Sequence, residues 1–232
     1  MDFEQGEVLL LNKPLSWTSF DVVNKIRYAL RRKYGPKIKV GHAGTLDPLA
    51  SGLLILCTGK MTRQLESFMG MDKEYTGSIH LGATTPTYDS EMPPDATFPV
   101  AHITEQMLYD KCAGFIGNIE QIPPIYSAIK TDGTPAYLKA RKGKEISMQA
   151  RNVIIKQFEL THIDMPLVHF RVLCSKGTYI RSLAYDFGKA LNSGGYLASL
   201  CRTKIGQFSI ENAWQIDALV NVISQMPEVE KE

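Results

Sequence analysis

One carboxylate stands out by its setting. Asp47 lies in the run Gly41-His42-Ala43-Gly44-Thr45-Leu46-Asp47-Pro48-Leu49-Ala50-Ser51-Gly52, which leads into the apolar segment Leu53-Leu54-Ile55-Leu56. Pro48 disfavours helix at Asp47 and supplies no backbone donor, so an extended Asp47 at a loop apex is expected. Gly41, Gly44 and Gly52 permit close approach or a positive φ. A carboxylate displayed in this way can serve as a nucleophile. It can equally hydrogen-bond its own turn, as Asp-Pro pairs commonly do.

A lone carboxylate does not define a reaction; it needs a partner that keeps it ionised and aimed. Arg181, in Lys176-Gly177-Thr178-Tyr179-Ile180-Arg181, is the best candidate, since a guanidinium binds a carboxylate through two donors and never loses its charge. Taken alone, an exposed helix arginine is at least as natural a reading. Tyr75, in Asp72-Lys73-Glu74-Tyr75, offers a ring that can stack on a base and a hydroxyl for hydrogen bonding or proton transfer. It also fits a tyrosine packed at a sheet edge. Tyr126 and Tyr137, interleaved with Lys130, Lys139, Arg141, Lys142 and Lys144, suit base stacking combined with phosphate contact.

Other chemistries lack their residues. The chain has 5 His and 4 Cys, with no metal-ligand spacing and no C-x-x-C pair, so a metal site is not expected and the cysteines read as reduced thiols. There is no P-loop and no Gly-rich dinucleotide turn. A glycoside hydrolase would need a second carboxylate opposite Asp47, and no motif supplies one.

The elements that must position these groups can be read from periodicity. Glu7–Asn12 reads as a buried strand ended by Lys13-Pro14. Thr18-Ser19-Phe20-Asp21 resembles a capping box, and Phe20, Val23, Ile26 and Leu30 recur at helical spacing up to the basic run Arg31-Arg32-Lys33. Two short apolar segments then hold the Asp47 loop between them. Helical character is expected at 62–68, 103–112, 136–141, 179–191, 195–201 and 214–225. Strands are expected at 73–81, 115–119, 152–163, 167–175 and 206–210. Residues 83–103 contain four prolines and read as an extended, mobile loop. This mixture without strict βαβ alternation points to an α+β fold on a mixed, mainly antiparallel sheet flanked by helices, with a basic arm at about 121–151.

Charge is unevenly spread. Residues 1–70 carry 10 Lys/Arg against 6 Asp/Glu, and residues 130–156 carry 7 against 2, while 71–110 carry 1 against 7. A net charge of only +2 therefore coexists with basic faces fit for phosphates, although solvated faces without a partner would look the same. No apolar run is long enough for a membrane helix, and the acidic start is no secretory signal, so a cytoplasmic protein is expected.

The Asp47 string resembles the catalytic motif of the bacterial tRNA pseudouridine-55 synthases of the TruB type. Lys176–Arg181 is similar to that family's second motif and Asp72–Tyr75 to its third. Pro123-Pro124-Ile125-Tyr126-Ser127-Ala128-Ile129-Lys130, and Leu81-Gly82 with Thr85, Thr87 and Asp89, add further likeness. The resemblance implies a pseudouridine synthase fold and the isomerisation of uridine 55 in the tRNA T loop, by base flipping and without a cofactor. It implies Asp47, Tyr75 and Arg181 as catalytic residues, with Arg181 the partner of Asp47. It further implies that His42, Arg63, Tyr179, Leu200, Lys130 and Arg141 contact RNA: His42 as a wedge in the loop, Leu200 as the apolar floor under the base. Attack at C1′, addition at C6 and removal of a sugar proton all remain open to Asp47.

Many relatives continue into a C-terminal RNA-binding domain of the PUA type. Here one catalytic domain over 1–232 is expected, with no such domain, acting as a monomer on the tRNA T stem-loop without an obligate protein partner. Two other readings compete: a non-catalytic RNA-binding or tRNA-folding protein, and a guide-RNA-dependent relative.

Overall fold

The computed structural model describes residues 1–227. In chain order the first elements are β1 (Val8–Lys13), α1 (Ser19–Tyr34), β2 (Val40–Ala43), β3 (Ala50–Thr58), a 3-10 helix (Gly59–Gln64), α2 (Leu65–Gly70) and β4 (Lys73–Leu81). There follow β5 (Ala83–Thr84), β6 (Ala96–Thr97), α3 (Glu105–Gly114), β7 (Gly117–Gln121), β8 (Lys130–Thr131), β9 (Thr134–Pro135) and α4 (Ala136–Ala140). Last come β10 (Arg151–Asp164), β11 (Leu167–Cys174), α5 (Ile180–Ala190), β12 (Gly195–Ile205), β13 (Phe208–Ser209), β14 (Trp214–Gln215) and α6 (Ile216–Gln225). The chain divides into two compact units, one of Met1–Tyr75 with the segment from Cys201 onward, the other of Thr76–Leu200.

In the first unit the strands run in the order β14-β1-β3-β12, with β2 also on β3 and β13 on β12. β1 pairs parallel to β14 and antiparallel to β3, where Leu9 faces Leu56 and Leu11 faces Leu54. The run Leu53-Leu54-Ile55-Leu56-Cys57 is apolar throughout because both of its faces are covered. Leu54 and Leu56 pack with Val22, Val23, Ile26 and Leu30 of α1 and Ile216, Leu219 and Ile223 of α6. Leu53, Ile55 and Cys57 point the other way, to Ala43, Phe68 and Ile205. α1 opens with the expected capping box: the Thr18 hydroxyl accepts from the Asp21 N–H, and the Asp21 carboxylate accepts from the Thr18 N–H at 2.8 Å.

In the second unit the order is β4-β11-β10-β7, with the β10/β11 and β10/β7 pairs antiparallel. Phe158 is the hub of its aromatic core, at 5.9 Å from Phe170 and 5.6 Å from Phe187. The α+β reading with a mixed, mainly antiparallel sheet holds.

Two local readings need correction. Residues 195–201 are not helical: they form the first part of β12. Leu197/Leu200 and Ala198/Cys201 mimic helical spacing, but Gly77 packs against the Ser199 backbone carbonyl and the Ser78 and Ser199 hydroxyls bond at 2.7 Å, so strand pairing overrides local preference. The 83–103 segment is more structured than expected. It contains the β5/β6 ladder and a turn in which Thr85, Thr87 and Asp89 are buried.

Candidate active site

The Asp47 loop joins β2 to β3, whose register sets Ala43 against Ile55 and His42 against Leu56. Its backbone is held at Gly44, Leu46, Asp47 and Pro48. The Ser19 hydroxyl, on the first turn of α1, accepts from Leu46 N–H at 2.8 Å and contacts Leu46 O at 3.2 Å. Ser16 N–H donates to Pro48 O, and Ala50 N–H to Asp47 O. Arg202, on β12, donates from Nε to Leu53 O at 2.8 Å and from Nη2 to Gly44 O at 3.1 Å. Gly44 has φ +87° and Gly52 φ +107°; a Cβ at Gly52 would collide with the Arg202 backbone.

Two buried cations accompany this loop. Arg202 and Lys13 are 1% and 0% exposed. Lys13 Nζ donates to the carbonyls of Pro14 and Trp17. Burial draws the Lys13 ammonium down to about 8, Asp47 opposing the shift and Arg202 adding to it. Asp47 itself is half-buried and carries contacts of its own. His42 is half-buried on β2; burial, then Arg202, lowers its pKa, so the ring is neutral at pH 7. Tyr75, buried near the start of β4, and Arg63, exposed on the 3-10 helix, complete the expected residues of this unit.

The second unit holds Arg181 on the first turn of α5, only 5% exposed. It is therefore buried, not the exposed helix arginine that its local sequence alone suggests. Its guanidinium donates to Thr87 O at 3.2 Å and Tyr126 O at 3.0 Å, and Nε lies 3.6 Å from Asp89 Oδ2. Asp89 is fixed in turn: Oδ1 accepts from the Thr87 hydroxyl at 2.6 Å and from Glu91 N–H at 3.0 Å. The helix start is tied down by Gln121, whose amide accepts from Tyr179 N–H and donates to Tyr179 O. Arg151 lies 4.8 Å over the Tyr179 ring.

Leu200 is half-buried on β12, and Lys130 is exposed on β8. Arg141, expected to face RNA, is exposed but pairs with Glu91 at 2.8 Å. Asp47, His42, Tyr75 and Arg63 thus belong to the first unit, and Arg181, Tyr179, Leu200, Lys130 and Arg141 to the second.

Sequence reasoning missed Lys13, Ser19, Arg202 and Gln121 as supports, and gave Asp89 no role. Arg202 was hidden because the first part of its strand, residues 195–201, carries helical spacing and Arg202 itself falls outside every expected element. Lys13 was legible as a charge at the end of an apolar run. Ser19 was visible only as part of a cap.

Residues 31–180 match the family model described as TruB family pseudouridylate synthase (N terminal domain). A tRNA pseudouridine synthase B of Flavobacterium johnsoniae is 54% identical over 217 residues, covering 93% of this chain and 95% of the relative. The Phocaeicola vulgatus protein of the same name is 51% identical over 226 residues, 97% of this chain and 96% of its own. Among solved structures, a chain of a Cbf5-Nop10-Gar1 complex superposes with a TM-score of 0.72 at 30% identity. This chain covers 94% of its own length there and spans 54% of the solved one. A chain of an H/ACA RNP bound to a substrate RNA containing 2′-deoxyuridine gives 0.69 at 28%, with 94% and 53% covered.

Proposed function

The chain belongs to the TruB family of pseudouridylate synthases, and on that premise we propose that it converts uridine 55 in the T loop of tRNA to pseudouridine. The observation that carries this is the near end-to-end identity with tRNA pseudouridine synthases B, 54% over 93% of this chain. In the reaction the N1–C1′ bond breaks, the uracil turns, C5 bonds to C1′, the C5 proton leaves and N1 takes up a proton. It is an isomerisation, so no net electron or group transfer is needed. The target base must first leave its stack, at a cost of about a few kcal/mol.

Asp47 engages the sugar or base as the glycosidic bond breaks. Arg181 is its cationic partner, Tyr75 stacks on the flipped base and Leu200 forms the floor beneath it. His42, neutral at pH 7, wedges the loop open as an uncharged ring. Arg63, Tyr179, Lys130 and Arg141 contact the RNA, Arg141 exchanging Glu91 for phosphate. Supporting these roles, the loop carrying Asp47 is fixed by Ser16, Ser19 and Arg202, and Arg181 is fixed by Thr87, Tyr126 and Asp89. Pre-set geometry of this kind reduces the reorganisation needed at the moment of reaction.

The test is tritium release from an unmodified tRNA transcript labelled at uridine C5. Stoichiometric release is expected from the wild type without any guide RNA. It is lost with Asp47→Asn, which still binds RNA, and with a transcript carrying U→C at position 55. Tight tRNA binding by the wild type without release would replace this reading by that of an RNA-binding protein; release only with an added guide would favour guide dependence, in line with the H/ACA neighbours. We further propose that the enzyme acts as a monomer in the cytoplasm; among the described residues no helix is long and apolar enough to cross a membrane. Sedimentation at working concentration checks the monomer.

A further inference from the structure

Within the first unit, two adjoining clefts of about 430 and 350 Å³ share Lys39 and Thr62. The first is lined by Arg27, Lys39, Val40, Gly41, Thr62 and Leu65. The second adds Lys37, Lys60 and Arg63, with Glu4 the one acid on its wall. Five cations therefore line a continuous depression that ends at Gly41, next to His42 on the strand leading to Asp47.

The depression is built by the sequence rather than assembled by loose side chains. From Lys37 to Val40 burial alternates, with Ile38 and Val40 inward and Lys37 and Lys39 outward. Both lysines line the second cleft. Gly59 N–H donates to Lys39 O at 2.9 Å, which fixes the Lys39 backbone to the start of the 3-10 helix carrying Lys60, Thr62 and Arg63. Gly59, at φ +49°, sits where any side chain would strike the backbone of Phe3 and Glu4. Gly41 leaves room for Leu65 on the floor.

The charges in it are not spent on protein acids. Among the described residues none of the five cations meets a carboxylate. Arg27 is engaged by Asn24 and Val40 O, and Lys60 by Gln5 Oε1 at 2.6 Å, all neutral acceptors. The side chains of Lys37, Lys39 and Arg63 have no hydrogen-bond or ion-pair partner among the described residues. Like charges gathered in one depression repel one another at a cost that an anionic ligand removes.

Taking RNA as the substrate, as proposed above, we infer that this depression is a track for backbone phosphates of the tRNA flanking the reacting nucleotide, with Lys37 and Lys39 as its contacts. Lys39 precedes His42 by three residues, about 10 Å of extended chain, so the track lies within a few nucleotides of a base held near His42. The ligand chemistry is phosphate. A polymer suits exposed ammonium groups strung along an open channel better than a single small anion, which calls for buried convergent donors.

The experiment measures the Kd of a tRNA transcript against salt for the wild type, Lys37→Gln/Lys39→Gln and the control Lys111→Gln/Lys189→Gln, which loses the same net charge. Loss of two phosphate contacts lowers the slope of log K against log salt by about 1.4–1.8. It weakens binding roughly 25- to 60-fold at 100 mM salt, the difference closing near 1 M. The control keeps the wild-type slope, and both variants keep the wild-type urea midpoint. An unchanged slope for Lys37→Gln/Lys39→Gln overturns the track, as does an equal change in the control, which would make the effect one of overall charge. Inorganic tripolyphosphate provides the other arm: if the variant loses tripolyphosphate binding while holding tRNA normally, the depression is a small-anion site instead. Tritium release by the wild type is read on the same transcript. Its absence would sink the isomerase reading while leaving the slope comparison interpretable.

Discussion

Lys13 and Arg202 are costly residues to bury: Lys13 holds the carbonyls of Pro14 and Trp17, and Arg202 holds the loop that carries Asp47. Arg202 bridges Gly44 O and Leu53 O, so it spans the loop from its entry to its exit. Arg202→Lys keeps the charge but cannot reach both carbonyls with a planar fork. We expect a kcat lowered about 10- to 100-fold with KM within about threefold, measured in single turnover on the transcript, because a small misplacement of a reacting group costs that much. A purely structural role would lower the melting temperature and leave kcat per folded molecule unchanged. For Lys13, a folded pKa of about 8 against a reference of 10.5 means the unfolded chain holds the proton more tightly. Stability contributed at this site is therefore lowest below pH 8 and rises between pH 8 and 10.5. Against Lys13→Met, the wild type should gain up to about 3 kcal/mol over that window, read from urea midpoints at each pH.

At the scale of elements, the cap of α1 does two things through neighbouring residues. Thr18 and Asp21 close the helix start, and Ser19 beside them grips Leu46. Thr18→Ala should cost about 1 kcal/mol in urea unfolding. It should also reduce kcat, since a frayed first turn releases Ser19 from the loop. Gly52→Ala should cost about 2–5 kcal/mol, combining a positive φ with a collision against the Arg202 backbone; a melting temperature within 2 °C of wild type would contradict that packing. Elements with strong local signals were legible: the capped, periodic α1, the apolar β3 and the strand pair β10/β11. β12 was not, because Leu197, Leu200 and Cys201 follow a helical period by chance and only partner strands reveal the strand. Asp47 and Arg181 stood out as candidates through their motifs, whereas Asp89 and Arg202 act through contacts with distant residues, which no local pattern encodes.

On the scale of the whole chain, residues 76–200 are inserted into the first unit. The polarised charge seen along the sequence acquires a structural meaning in that unit, where cations from α1, the segment just before β2 and the 3-10 helix line one depression. Binding of tRNA should accordingly weaken steeply between 50 and 300 mM salt, far more than a net charge of +2 suggests.

The span of the Arg202 clamp also has a consequence in time. Arg202 follows Leu53 by 149 residues and Gly44 by 158. At bacterial synthesis rates of about 5–20 residues per second, the ribosome needs on the order of ten seconds to travel that far after making the loop. Throughout that interval Asp47 rides on a hairpin lacking its clamp. The geometry that Arg202 imposes on the loop therefore forms only after residue 202 has been made, long after the hairpin itself.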